Sequence, residues 1–480
     1  MVVYQVYPRS FQDSDGDGIG DLAGIRSRLD HLAWLGVDGL WMSPIYPSPL
    51  ADFGYDVSDY TDVDPTYGDL AEFDRLVDEA HRRGLKVLMD VVPCHTSIEH
   101  PWFREHPDWY IWADRPNNWV AAFGGSAWSP NPAQPAEPAA SGRGDGRYYL
   151  HSFYPEQPDL DWRNPEVIAA MRDVLRFWLE RGADGYRIDA IDRLLKDPEL
   201  RDDPPAADPY GLPVSEEEAK LALSNSRNAP DTGEAIAKIR EAVGDAFLVG
   251  EVYLPSVRWQ PYSDHFDAVF AFELLLTSWD ARVLNRAIEA CTQVPGQAAW
   301  VMSNHDFGRL ATRFGSENAR AAAMMLLTLP GPAFLYQGDE IAQGDGPPGE
   351  SRYDRAGRDR FRHPMQWDGS PGGGFSTGQP WLPPVDPGER SVEAQRDDPA
   401  STLSLVRELI ALRRELGGEF ELLEAADGVV AYRRGGHTVA VNTTDEPRPV
   451  ALPGEPRLAT VHGALQGDTL AAHAGAITED

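Results

Sequence analysis

Cysteine is nearly absent from this chain. Its 480 residues include two, Cys94 and Cys291, too few for a disulfide framework, and no charged-then-apolar leader precedes the first predicted strand. A cytoplasmic location is the expectation. Basic charge is also scarce: 43 Lys and Arg stand against 76 Asp and Glu, for a formal net charge of -33, and only four of the basic residues are Lys. That balance excludes nucleic acid and anionic membrane surfaces as partners, because their phosphates would be repelled. Long apolar runs are missing too, and none approaches the roughly 20 residues a membrane span requires. With 42% apolar and 25% charged residues, the composition is that of a globular protein with one large domain of roughly 250 to 400 residues plus appendages. No repeat at solenoid spacing is found.

What the chain does have is a strand and helix rhythm. "VVYQVY" is followed by "LAGIRSRLDHLAWLG", then "VDGLWMSPI", "LAEFDRLVDEAHRRG" and "LKVLMDVV". Further strand candidates are "ADGYRIDA", "AFLVGEVY", "DAVFAF", "AAWVMSNHD" and "GPAFLYQGDE". Strands apolar on both faces, alternating with amphipathic helices, predict a parallel sheet covered by helices. Eight is the number that closes a barrel. A doubly wound sheet is the alternative, but no Gly-rich phosphate loop follows the first strand.

The predicted fold is therefore α/β: a (β/α)8 TIM barrel with an inserted domain after strand 3 and a small C-terminal β domain. Residues 1–93 and 161–418 form the barrel in this reading. Residues 94–160, rich in Pro, Trp and Gly and without helical period, form the insertion, and 419–480 the β domain. A smaller insertion covers about 197–230, and 340–397 reads as Gly and Pro-rich loop before the helix "TLSLVRELIALRREL".

One stretch of the fourth strand, "ADGYRIDAID", places Arg187 and Asp189 two residues apart in an otherwise apolar run, so both face the same way. In a parallel barrel the site lies at the C-terminal ends of the strands. There stand His95, Arg187, Asp189, Glu251, His305 and Asp306. Paired carboxylates at such a mouth suit glycoside hydrolysis, in which one acid protonates the leaving oxygen and one carboxylate meets the anomeric carbon. Arg187 is expected to hold Asp189 ionised, leaving Glu251, in the more apolar "LVGEVY", as the proton donor.

"DVVPCHTS", "GYRIDAI", "GEVY" and "SNHD", in that order, resemble the four short regions of the α-amylase family of glycoside hydrolases (family 13). "QPDLDW" and "MQWD" resemble segments of its oligo-1,6-glucosidase and α-glucosidase branch, and the likeness spans nearly the whole chain. The resemblance implies that Asp189 is the nucleophile, Glu251 the general acid/base and Asp306 a third carboxylate that grips sugar hydroxyls. It implies that His95, Arg187 and His305 contact the sugar in the first subsite, that Tyr55 stacks on it, and that Asp52 and Arg309 close the pocket around a terminal glucose. A rim salt bridge between those last two is the plainer alternative. The implied activity is a retaining, exo-acting α-glucosidase on short α-glucosides, with transglycosylation when acceptor sugars outcompete water. A trehalose synthase or sucrose-acting relative keeps the same chemistry with another acceptor. A non-catalytic scaffold of the family should show a membrane anchor and a broken triad, and neither is seen.

The loop "DSDGDGIGD" offers oxygen ligands at alternate positions, Asp13, Asp15, Asp17 and Asp21 with the Ile19 carbonyl, as a hard cation requires. Gly24 stands where an EF-hand has its bidentate Glu. The loop resembles the Ca²⁺ or Mg²⁺ loop of the α-glucosidase branch, which implies a structural cation. Three positions depart from the family pattern. Cys94 replaces a usual Asn, and a buried, inert thiol is expected. Asp161 replaces a common Asn, and Phe307 and Gly308 a polar pair. Small Ala190, next to the nucleophile, resembles members that take α-1,4 links.

Overall fold

The structure is a computed structural model that describes residues 1–132, 148–206, 211–349 and 353–479. Eight strands of almost uniform burial form one parallel sheet: β1 (Val2–Val6), β2 (Gly39–Met42), β3 (Lys86–Val91), β4 (Gly185–Ile188), β5 (Phe247–Gly250), β6 (Ala268–Phe270), β7 (Ala298–Ala299) and β8 (Ala333–Tyr336). Their order is β7-β6-β5-β4-β3-β2-β1-β8, and a parallel bridge between Trp300 and Ala333 joins the two ends. The sheet is thus the predicted eight-stranded barrel. Its strands are short and carry Val, Leu, Ile and aromatics on both faces, which only a sheet covered inside and out can bury.

The helices stop and start where local chemistry dictates. Asn164 caps the helix Pro165–Glu180 by accepting from the Glu166 amide, and Asp280 caps Ala281–Thr292 through the Arg282 and Val283 amides. The helix predicted over 22–36 is two, Leu22–Ser27 and Leu29–Leu35. Arg28 leaves the helical region between them, and its guanidinium bonds Gln12 Oε1 at 2.6 Å and lies 4.3 Å over the Trp367 ring. Tertiary contacts at one residue override a continuous apolar stripe.

The chain divides into two compact units. The first comprises Met1–Trp41, Asp78–Lys86 and Phe270–Asp480. It contains β1, β7 and β8, and its C-terminal part is a five-stranded antiparallel sheet in the order Phe420–Leu422, Val429–Arg434, His437–Asn442, Gly475–Glu479, Pro456–Ala459. Val429, Ala440, Leu470 and Ala476 form its apolar core.

The second unit comprises Met42–Val77 and Val87–Val269, with β4 and β5. Within it the insertion builds a three-stranded antiparallel sheet, Trp112–Ala113, Tyr148–Leu150 and Trp128–Pro130. Its tryptophans become its core, where Trp119 and Trp128 stack with ring centroids 6.1 Å apart. Among the described residues no helix is long and apolar enough to cross a membrane.

Candidate active site

Parallel register sets Arg187 of β4 beside Asp90 of β3 and Val249 of β5, and β5 runs straight into Glu251. The Arg187 guanidinium then meets three carboxylates. Its Nη1 lies 2.9 Å from Asp90 Oδ1 and 2.6 Å from Asp189 Oδ1, and its Nη2 lies 2.6 Å from Glu251 Oε2. All four side chains are buried. The backbone ties the same residues together: the Asp189 amide bonds Val91 O, the Glu251 amide bonds Ile188 O, and the Ile191 amide bonds Glu251 O.

Arg187 opposes the effect of burial on Asp189 and Asp90 without cancelling it. Burial pushes the Asp189 carboxyl well above the usual carboxylate range; Arg187 opposes this, and the charges of Glu251 and Asp90 add to it. Burial likewise raises Asp90 against the pull of Arg187 and the Tyr55 hydroxyl. Arg187, expected to hold Asp189 ionised, acts in that direction, while burial and the charges of Glu251 and Asp90 act against it. Asp189 and Asp90, both on the same cation, are therefore linked in their titration.

Ala190, directly after Asp189, is left-handed at φ +40°. Its amide donates to Glu251 Oε2 at 3.0 Å, and its carbonyl accepts from the Cys94 thiol at 3.0 Å. Cys94 thus supports the loop with a single weak donor. Burial pushes its thiol well above the ordinary range, which leaves it inert.

A polar wall stands beside the cluster. The Tyr55 hydroxyl donates to Asp90 Oδ2 at 3.0 Å, and the Arg187 guanidinium lies 5.6 Å over the Tyr55 ring. His95 Nε2 is 3.1 Å from the Tyr55 carbonyl and 3.0 Å from Gln157 Nε2, which also donates to Asp52 Oδ2 at 3.1 Å. Burial pushes the His95 imidazole down to about 4, so it is neutral near pH 7.

The first unit has its own charged group. Asp306 Oδ1 lies 2.8 Å from Arg358 Nη1 and 3.1 Å from Arg362 Nη2, and its Oδ2 lies 3.1 Å from His305 Nε2. His305 Nδ1 meets Gln5 Nε2 at 2.8 Å, and its ring stacks on Tyr7. Arg309 belongs to a different set of contacts. It is fully buried and donates to the carbonyls of Gln337 at 2.5 Å and His363 at 3.1 Å, over the Tyr336 ring at 4.7 Å.

Asp90, Gln157, Arg358 and Arg362 in these groups were not singled out by sequence, nor was Tyr253, whose hydroxyl donates to Glu251 Oε1 at 3.2 Å. Asp90 carries a signal equal to that of Arg187, a lone charge in the apolar run "VLMDVV". The arginines sit in "RAGRDRFRHPMQWD", a basic patch in an acidic chain. Gln157 and Tyr253 lie inside the motifs "QPDLDW" and "GEVY".

On the acidic loop, Asp13, Asp15 and Asp21 each bring a carboxylate oxygen within 4.8 Å of the others. That grouping does not include Asp17, whose Oδ1 accepts from the Ile19 amide at 2.7 Å. Burial opposes ionisation of Asp13, but bonds from the Ser376 hydroxyl and the Gly16, Gly18 and Asp15 amides outweigh it and lower its carboxyl. Gly18 is required here: its φ is +93°, and a Cβ would sit 2.0 Å from the Gln379 carbonyl oxygen. Three carboxylate oxygens on a preformed turn fit a hard cation.

Comparison with known proteins bears on these groups. The model of the alpha amylase catalytic domain matches residues 5–417. A probable alpha-glucosidase of Rhizobium meliloti is 40% identical, with 90% of this chain and 86% of that protein covered. An oligo-1,6-glucosidase of Parageobacillus thermoglucosidasius is 37% identical, with 86% of this chain and 83% of that protein covered. The crystal structure of an alpha-glucosyl transfer enzyme superposes with a TM-score of 0.88 at 36% identity, covering 100% of this chain and 98% of the other.

Proposed function

Because this chain belongs to the α-amylase family of glycoside hydrolases, we propose that it is a retaining, exo-acting α-glucosidase that releases terminal glucose from short α-glucosides. The observation that carries the reading is the pairing of Asp189 and Glu251 on one buried guanidinium, each 2.6 Å from a nitrogen of Arg187. Two carboxylates held this closely suit a nucleophile and an acid rather than two carboxylates spread apart for a water.

Asp189 attacks the anomeric carbon while Glu251 gives its proton to the departing oxygen. The proton the cluster holds belongs on Glu251 and the charge on Asp189 in the reactive state. Arg187 bonds both carboxylates and stabilises the charge wherever it sits. Glu251, now ionised, takes a proton from water, which releases glucose from the covalent intermediate. Asp306, flanked by His305, Arg358 and Arg362, grips sugar hydroxyls. His95, Tyr55 and Asp52, joined by Gln157, form the closed end that receives a terminal glucose. In this reading Arg309 supports the loop after β8, with its charge taken by carbonyls, and the arginines that serve Asp306 are Arg358 and Arg362.

Small Ala190 favours α-1,4 links by about 1 to 3 kcal/mol at most. Transfer to a second sugar is a companion activity, favoured by the likeness to an alpha-glucosyl transfer enzyme. Ca²⁺ or Mg²⁺ held by Asp13, Asp15 and Asp21 would supply structural support to the loop. A cysteine content of two in 480 residues suits a reducing compartment, and a cytoplasmic location is proposed on that ground.

Proton NMR of the enzyme with maltose, isomaltose, sucrose and trehalose in turn tests the reading, with Asp189→Asn as control. Early α-glucose, absent in the control, is the expected result, and the relative rates rank the linkages. Isomerised disaccharide without glucose, β-glucose as the first product, or full activity in the control would overturn it.

A further inference from the structure

The two oxygens of Glu251 are held from different sides. Oε2 is engaged by Arg187 Nη2 at 2.6 Å and by the Ala190 amide at 3.0 Å. Oε1 is met by the hydroxyl of Tyr253, two residues on, which donates at 3.2 Å. An oxygen that already accepts from a guanidinium and an amide is poorly placed to carry a proton to a third group. Oε1 is the oxygen left for that proton, and Tyr253 is the contact that sets its direction.

Tyr253 is itself clamped. Its amide donates to Asp192 Oδ1 at 3.1 Å, and its carbonyl accepts from the Leu212 amide at 2.7 Å. Asp192 Oδ2 lies 3.4 Å from Arg227 Nη1, and Arg227 and Arg193 each reach Glu218 Oε1 at 2.6 Å. All four of these charged side chains are buried. A buried ionic network is costly to break once formed. Leu212 and Asp192 thereby hold the Tyr253 backbone, and Arg227 in turn holds Asp192.

We propose that Tyr253 is a positioning residue for proton transfer, aiming Glu251 Oε1 at the glycosidic oxygen of the leaving sugar. The proposal rests on Glu251 being the general acid. A sugar leaves only with protonation of its oxygen, whereas fluoride departs without it, so a fault confined to the acid appears with one substrate and not with the other.

The experiment measures kcat/KM for α-glucosyl fluoride and for the disaccharide that wild type cleaves fastest, in wild type, Tyr253→Phe and Glu251→Gln. Tyr253→Phe keeps the ring and both backbone clamps. It is expected to lower the disaccharide value about tenfold or more and to leave the fluoride value within about twofold. Glu251→Gln is expected to show the same split, larger. Equal losses on both substrates, or no loss, in Tyr253→Phe while Glu251→Gln shows the split would overturn the role of Tyr253 and leave that of Glu251 standing. No split in Glu251→Gln would remove the acid assignment, and the Tyr253 proposal with it.

Discussion

Replacing Arg187 with Met removes the single cation that touches Asp90, Asp189 and Glu251 at 2.9, 2.6 and 2.6 Å. The methionine fills much of the same volume, so the main loss is charge. Breaking a buried pair by deleting one partner costs about 3–5 kcal/mol, because the remaining charge stays buried and unpaired. Here three carboxylates lose their partner, and protonation limits the cost. In the variant the folded-state affinity of Asp90 and Asp189 for protons rises further above that of the unfolded chain. Below that raised range the folded state holds protons the unfolded chain has released, so the penalty shrinks as pH falls. Urea unfolding at about pH 7 and about pH 5 reads this directly: the deficit relative to wild type should narrow by roughly 1.4 kcal/mol per pH unit for each extra proton bound. A loss under about 1 kcal/mol, or one equal at both pH values, would refute the view that this guanidinium neutralises a buried carboxylate cluster.

Two other measurements follow from the same coordinates. Burial pushes His95 and His100 down to about 4 from an ordinary 6.5, so between those values the unfolded chain binds protons that the folded one refuses, and stability falls as pH drops through that window. Each group contributes about 3 kcal/mol to that fall, and His100→Asn, which can still cap the Trp102 amide, should flatten the pH dependence of unfolding by that amount. Adding Ca²⁺ or Mg²⁺ to chelator-treated protein should raise the unfolding free energy by about 2.7 kcal/mol at a hundred times the dissociation constant. Asp13→Ala should abolish that gain, and an equal gain in the variant would place the cation elsewhere.

Local chemistry made much of this molecule legible in one dimension. Apolar strands alternating with capped amphipathic helices declare a parallel sheet covered on both faces, and eight such strands are the number that closes a barrel. Arg187 and Asp189, two apart in such a strand, announce a charged face before any partner is known. The acidic loop declares itself in the same way, through like charges spaced along a glycine-rich turn. Asp90 could have been read by the rule that found Arg187, and the basic patch around Arg358 stands out against a chain of net charge -33.

What the linear pattern left open depends on atoms brought together from far along the chain. The number of carboxylates around Arg187 follows from strand register, which sets Asp90 beside it across 97 residues of sequence. That count, rather than the local Arg and Asp pair, decides how Asp189 titrates. Gln157 joins Asp52 and His95 because the insertion returns its last loop to the strand end it left. Tyr253 reaches Glu251 at its spacing because Asp192 and Leu212 seize its backbone from two other segments. Sequence determines which groups are charged, apolar or able to turn, since those are properties of single residues and their neighbours. Which charges share a proton, and which hydroxyl aims an acid, are properties of distance, and only the tertiary fold sets distances between residues a hundred positions apart.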